Sequence, residues 1–429
     1  MLLYINMRRG GEAIGAGGYG CIFDPPLQCN DNVNRATMNN RATKKNSRYI
    51  SKLLFNNAAK KEMEEIGHVK SYLKNIPNAN DYFLVQNTST CKPAPLNSAD
   101  LKNFNKVCVG LYNFGYNADN INSKLEDFSI INIPYGGIDM IKCWQLIVKQ
   151  NNQPSQIKSF IQINTALIKL LKYGIVPLNK TGFYHLDVKG ENILVDSAKK
   201  ARLIDWGVSE GTSEKTPIPA RLNNQSLCIN NPFSTLLFSD IFVKQVAFYI
   251  NNNKLLHLYP ETKEGRRALM RKIAGYIFTQ SQTLYGLGHF ESLVEIIKII
   301  EVNKISTKLN AENIVIEYLT EVLDKYVDPE GTLQLQKYFT EVLSKNIDVW
   351  GFIYAYFELI FNLVFLEKTE IIHQRIYKLT TPLLKLVNKY YFSNAYAAKP
   401  ISIPILVTEL YELNRIIVGK KKTQQRKMN

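Results

Sequence analysis

The stretch from Tyr184 to Gly207, YHLDVKGENILVDSAKKARLIDWG, constrains the chain most, because it sets two acids, an amide and a lysine at fixed short spacings around two strand-like runs. Asp187 and Asn192 lie on what reads as a tight loop, with Lys189 between them. The apolar run ILV then passes through a polar turn into RLIDWG, which carries Asp205. A hairpin made from these two runs would return Asp205 to the neighbourhood of Asn192. Carboxylate and amide oxygens suit a hard divalent cation, a second carboxylate can accept a hydroxyl proton, and an ammonium can neutralise a transferring phosphate. The competing reading is an acidic β-hairpin with polar turns, but D-x-K-x-x-N followed by D-x-G after a strand is more specific than that.

Composition bounds the rest. With 429 residues, 45% of them hydrophobic and 21% charged, the chain has enough apolar content for two sizeable cores. Its formal charge of +16, from 53 basic and 37 acidic residues, suits anionic partners: nucleotides, acidic proteins, nucleic acid or an anionic membrane surface. Six cysteines (Cys21, Cys29, Cys91, Cys108, Cys143, Cys228) fall without any C-x-x-C pair. That spacing argues against a zinc ribbon and against a compact disulfide framework, and points to a reducing intracellular compartment. The start MLLYINMRR does not read as a secretion signal. One window, Val349–Leu366, is about long enough to span a bilayer, but Glu358 and Asn362 sit inside it and Asp348 just before it, so a buried core helix is expected and no membrane span.

Taken in order, EAIGAGGYGCIF gives G-x-G-x-x-G-x-I through Gly15, Gly17, Gly20 and Ile22, with an extra Gly18, and reads as strand, glycine turn, strand. Residues 24–47 read as a polar inserted loop. In YISKLLF, Lys52 lies in a short β-like run and is the candidate for gripping nucleotide phosphates; Lys44 and Lys45 are rivals by type without strand context. The next segment is helical in pattern, with Ile66, Val69, Tyr72 and Leu73 at helical spacing. Glu65 borders that apolar face and is the candidate partner of Lys52, with Glu62 and Glu64 as alternatives. Residues 81–127 give no sharp pattern. FSIINIPYGGIDM reads as a buried strand broken at Pro134 into a Gly136-Gly137 turn, an interlobe connector whose backbone over residues 132–135 suits an adenine edge, with Asp139 toward a ribose. Residues 157–175 form an amphipathic helical pattern leading to the acidic loop.

These pieces, in this order, resemble the protein-kinase fold. The match covers the glycine loop, the Lys52 strand, the Glu65 helix, the YGG connector, HLDVKGEN, DWG and the later IDVWGFIYAYFEL. GGYGCIF, IPYGGID and NNPFSTLLF look most like serine/threonine kinases encoded by nucleocytoplasmic large DNA viruses. The resemblance implies an α+β bilobal fold: a small β-rich N-lobe over 1–135 and a large, mainly helical C-lobe over 136–429. It further implies ATP and Mg²⁺ as cofactors, with Asp187 as the catalytic base or hydroxyl-positioning acid and Lys189 as γ-phosphate neutraliser. Asn192 and Asp205 become Mg²⁺ ligands, Lys52 the α/β-phosphate ligand paired with Glu65, and Gly15, Gly17, Gly18, Gly20 and Ile22 the loop over the nucleotide. His185 is implied to be structural, and Asp348 to tether the catalytic loop's backbone. The implied substrate is a Ser/Thr hydroxyl on a protein, in an intracellular setting of host cytoplasm or virion.

Three departures qualify this. Leu186 stands where H-R-D has arginine, which implies activity without activation-loop phosphorylation. Trp206 stands where D-F-G has phenylalanine. Between Gly207 and Asp348 no A-P-E occurs, NNPFSTLLF is the candidate docking end, and helical patterns such as HFESLVEIIKIIE and AENIVIEYLTEVLDKY imply a helical insertion at about 235–345. LIDWG also resembles small-molecule kinases of the aminoglycoside and choline phosphotransferase group, and a pseudokinase binding module is a third reading. The basic tail at 419–429 reads as a solvated terminus or a nucleic-acid contact.

Overall fold

A computed structural model describes residues 11–30, 48–302, 309–365 and 374–419. The polar loop's Lys44 and Lys45, the amino-terminal apolar run and the basic tail beyond Gly419 lie outside them. The chain divides into two compact units, 1–137 and 138–429, so the boundary falls at the end of the Gly136-Gly137 turn.

The N-terminal unit is built on a five-stranded antiparallel sheet. Its strands are β1 (Glu12–Gly17), β2 (Gly20–Asp24), β3 (Tyr49–Phe55), β4 (Ser89–Cys91) and β5 (Phe128–Pro134), in the order β1-β2-β3-β5-β4. β1 and β2 close through a two-residue turn, with Gly17 opposite Gly20. Alternation along β3 and β5 decides which side chains meet what. Leu54 and Ile131 face helix α1 (Asn56–Leu73) and pack on its Ala59. Leu53, Phe128 and Ile130 face the opposite core, where Phe104, Cys108, Leu111 and Ile121 cover them. That cover is the segment the sequence left unread: three short helical pieces, Ser98–Leu101, Phe104–Val107 and Val109–Asn113.

Two disulfides correct the expectation of no compact disulfide framework: Cys21–Cys108 fastens this cover to β2, and Cys29–Cys91 ties the segment after β2 to β4. The partners are 87 and 62 residues apart, so only the folded sheet brings them together, and no local spacing announces it. Cys143 and Cys228 are free thiols.

The C-terminal unit is mainly helical. Helices α2 (Met140–Val148) and α3 (Gln153–Lys169) lead, through a π-turn at Leu170–Ile175, to a set of very short strands. β6 (Ile138–Asp139), β8 (Ile193–Val195) and β9 (Ala201–Leu203) form one small sheet, while β7 (Phe183–Tyr184) pairs with β10 (Glu210–Gly211). The segment expected to be an insertion is helical: α4 (Asp240–Leu255), α5 (Lys263–Tyr285), α6 (Phe290–Val302) and α7 (Ala311–Tyr326). α5 lies along α7, joined by Arg267 to Glu317 and Glu321 (3.0 and 2.7 Å) and by Arg271 to Glu317 (2.5 Å).

Beyond the insertion come α8 (Ser344–Tyr354), α9 (Phe357–Val364), α10 (Thr380–Val387) and α11 (Ile403–Val418). α8 is buried along nearly its whole length: Trp350 lies among Phe233, Tyr318 and Tyr391. Among the described residues one helical run, Leu335–Val364, is long and apolar enough to cross a membrane, and 72% of its most apolar window is buried inside the fold. Trp144 of α2 donates to the Ala355 carbonyl between α8 and α9, and Gln145 to Glu358, so the polar residues of that run serve internal packing.

Candidate functional site

The sequence-predicted residues fall into two groups, one in each unit. In the C-terminal unit, β8 and β9 pair with Ile193 opposite Leu203, which puts Asn192, just before β8, and Asp205, just after β9, at one end of the hairpin. The Ile204 amide donates to the Asn192 carbonyl (3.0 Å) and fixes that end. Asp205 is exposed, with φ of 64°, a left-handed conformation that only surrounding structure can hold in a residue with a side chain.

Asp187 is the hub. Asn192 Nδ2 donates to its Oδ2 (2.9 Å) and to its carbonyl (2.8 Å), and Lys189 Nζ lies 2.8 Å from the same Oδ2. Asn230 Nδ2 donates to Oδ1 (2.7 Å). Both carboxylate oxygens are thereby oriented, and Asn192, having spent its amino group on Asp187, keeps Oδ1 for a cation. Partial burial disfavours the Lys189 ammonium, but the hydrogen bond and charge of Asp187, with Glu191 and Asp205 beyond, outweigh it and hold the pKa above the usual lysine value.

The loop carrying Asp187 is pinned from α8. Asp348, almost fully buried, accepts from the amides of His185 (2.8 Å) and Leu186 (2.9 Å) and from Asn179 Nδ2 (2.6 Å). These three N–H donors compensate a buried carboxylate. They also hold Leu186 at φ of 64°. His185 is fully buried; its Nδ1 receives the Asp187 amide (3.4 Å), so its Nε2 carries the proton and donates to the Ile204 carbonyl (2.9 Å). Its ring lies 4.8 Å from that of Trp206, which makes it a strut between the acidic loop and the DWG turn, the structural role expected of it.

Asp139, assigned from sequence to a ribose, caps α2: its Oδ1 accepts from the Lys142 amide (2.9 Å). Asn230 was not foreseen. It sits in the NNPFSTLLF run, where Phe233–Phe238 is a buried 3-10 turn, and Trp350 donates to the neighbouring Ile229 carbonyl (3.1 Å). Two adjacent asparagines before a proline carry no signal of contact with an acid 43 positions earlier.

In the N-terminal unit, Lys52 lies on the α1 side of the sheet, between Ile22 of β2 and Ile131 of β5. Its Nζ is 2.6 Å from Glu62 Oε2, and Glu62, not Glu65, is its partner. The buried residues of α1 are Ala59, Ile66, Val69 and Leu73; Glu62 continues that three-four stripe toward the sheet, whereas Glu65 stands to its side, 3.9 Å from Lys61 on the same helix. Glu64 is on the solvent side with Lys60. Added Cβ atoms at Gly17 and Gly18 would meet nothing within 4 Å, while Gly110 packs so closely on the turn that a Cβ there would stand 2.4 Å from the Gly17 carbonyl oxygen. Gly20 has a packing reason instead, since a Cβ there would come within 2.5 Å of the Leu53 carbonyl.

Among the described residues no group of three or more His, Cys, Asp or Glu side chains gathers as a metal cluster. A cation at the hairpin end would take Asn192 and Asp205 from the protein and further oxygens from a ligand, as a hard ion carrying phosphates does. No family model matches the chain, and no curated protein matches it.

Proposed function

We propose that this chain is a protein kinase that transfers the γ-phosphate of Mg·ATP to serine or threonine hydroxyls, within the α+β protein-kinase fold. The observation that carries the proposal is the Asp187 carboxylate, held by Asn192, Asn230 and Lys189 beside a hairpin that brings Asn192 and Asp205 to one end. Bound Mg²⁺ would be held by Asn192 Oδ1 and Asp205 and would neutralise phosphate charge. Asp187 orients the attacking hydroxyl and accepts its proton, while Lys189 offers positive charge to the phosphoryl group as it moves. In the N-terminal unit the proposal assigns Lys52, held by Glu62, to the α/β-phosphates and the Gly15–Gly18 backbone to the remaining phosphate oxygens. Leu186, buried where an arginine would otherwise stand, supports activity without activation-loop phosphorylation.

The test is radiolabelled ATP with a protein panel, aminoglycosides and choline, comparing wild type with Lys52→Met and Asp205→Asn. The expected result is labelled protein with wild type and a loss of several orders of magnitude in both variants, because positioning and charge neutralisation supply most of phosphoryl-transfer catalysis. Label on a small molecule alone would move the chain to the small-molecule kinases, and label unchanged in both variants would overturn the site.

A further inference from the structure

Asn230 orients Asp187, so the segment carrying Asn230 has to be held in place, and with Leu186 at the loop no guanidinium is there to anchor a phosphorylated residue. The helical insertion supplies the hold. The loop between α5 and α6 brackets the segment with two hydrogen bonds: the His289 amide donates to the Leu227 carbonyl (2.9 Å), and the Ile229 amide donates to His289 Nδ1 (3.2 Å). Gly288 permits the approach. Its φ is 54°, and a Cβ there would stand 2.3 Å from the Leu227 carbonyl oxygen. One turn earlier in the segment, Tyr285 at the end of α5 and Ser239 before α4 both donate to Asn224 Oδ1 (3.0 and 3.1 Å). Leu227 and Ile229 are buried, whereas His289 is exposed and its side chain reaches the segment through one partly sheltered bond.

We propose that His289 is a positioning residue: the α5–α6 loop of the insertion fixes residues 224–230 in the conformation that presents Asn230 to Asp187, in the place that phosphorylation would otherwise fill. The inference rests on the phosphotransfer reading for its catalytic consequence, while the bracket itself can be tested without activity. Cys228 lies between the two bracketed residues and is the half-buried one of the two free thiols. Burial pushes both thiols up: Cys143, the buried one, to about 12 with Asp139 adding to the shift, and Cys228 with Asp187 adding to its own, so the contrast between them rests on the greater exposure of Cys228. With both disulfides intact, the reaction of Cys228 with 5,5′-dithiobis(2-nitrobenzoate) therefore reads the segment: the thiolate attacks the aromatic disulfide, forms a mixed disulfide and releases one thionitrobenzoate.

The experiment uses the full chain and the variants His289→Ala, His289→Asn and Gly288→Ala. Removing the acceptor in His289→Ala should speed Cys228 labelling about ten-fold and lower kcat about ten-fold at unchanged nucleotide KM. His289→Asn, whose Oδ1 can accept from Ile229, should stay within about three-fold of wild type in both. Gly288→Ala should follow His289→Ala. Labelling unchanged in His289→Ala and Gly288→Ala, or equal losses in the Ala and Asn variants, would overturn the proposal. A wild type that labels as expected yet phosphorylates nothing would overturn the phosphotransfer reading and leave the bracket standing.

Discussion

Asp348→Asn changes one atom of the pin beneath the acidic loop and leaves its shape intact. The carboxylate has two acceptor oxygens for three donors: His185 N and Asn179 Nδ2 share Oδ2, and Leu186 N takes Oδ1. An asparagine can keep the shared pair on its oxygen, but then its amino group faces the Leu186 amide, donor against donor. The change removes one hydrogen bond to a charged acceptor and leaves a buried amide without one, and from typical magnitudes the loss is about 3 kcal/mol. In a domain of this size that corresponds to a fall of roughly 6–12 °C in Tm. Leu186 adds to the effect, because its left-handed backbone costs about 1–2 kcal/mol and its own amide loses the acceptor that holds it, leaving the bonds to Asp187 to oppose its relaxation. Relaxation there displaces Asp187, the next residue, and a displacement of that kind can lower the rate by about 100-fold. Thermal unfolding by circular dichroism and single-turnover phosphotransfer measure the two effects. A Tm within about 2 °C of wild type, together with an unchanged rate, would refute the reasoning, because a charge-assisted pin cannot be replaced by a neutral one without cost.

Further outcomes follow from the same geometry. Glu62→Gln should lower phosphotransfer through loss of the Lys52 ion pair, while Glu65→Gln should leave it near wild type; steady-state rates at saturating and limiting ATP decide this, and the reverse ranking would restore Glu65. Reduction of Cys21–Cys108 and Cys29–Cys91 opens loops long enough that the chain-entropy account gives about 4 kcal/mol for each, so a dithiol should lower the first melting transition by more than about 10 °C. Calorimetry with and without the dithiol measures this. Lys189 is a cation with a raised pKa, so its contribution is complete below the ordinary lysine value of 10.5 and is lost only as pH rises through the higher folded value. The pH–rate profile should accordingly be flat in this term through neutral pH, and an alkaline limb falling below about pH 9 would have to come from another group.

Much of this fold is legible in one sequence, for identifiable reasons. YISKLLF and FSIINIP read as strands because β-branched and aromatic residues run between turn signals, and α1 and the inserted α6 and α7 read as helices because their apolar residues recur every three or four positions. The hairpin of the acidic loop is legible because its strands are local. The choice among Glu62, Glu64 and Glu65 is not, since all three fall within one helical turn and only the side of α1 packed on the sheet decides. The disulfides, Asn230 and His289 share another obstacle: each acts on residues dozens of positions away, and a single chain carries no mark of such contacts.

The crowding around Asp187 has a consequence for selectivity against water. A carboxylate offers about four lone-pair positions. Asn192, Lys189 and Asn230 fill three of them. Among the described residues these leave one position on Oδ1, for which a water molecule and an acceptor hydroxyl would compete. Under the proposed function, futile hydrolysis of the nucleotide and productive transfer exclude one another at a single position, and each increment of acceptor occupancy should suppress hydrolysis in proportion.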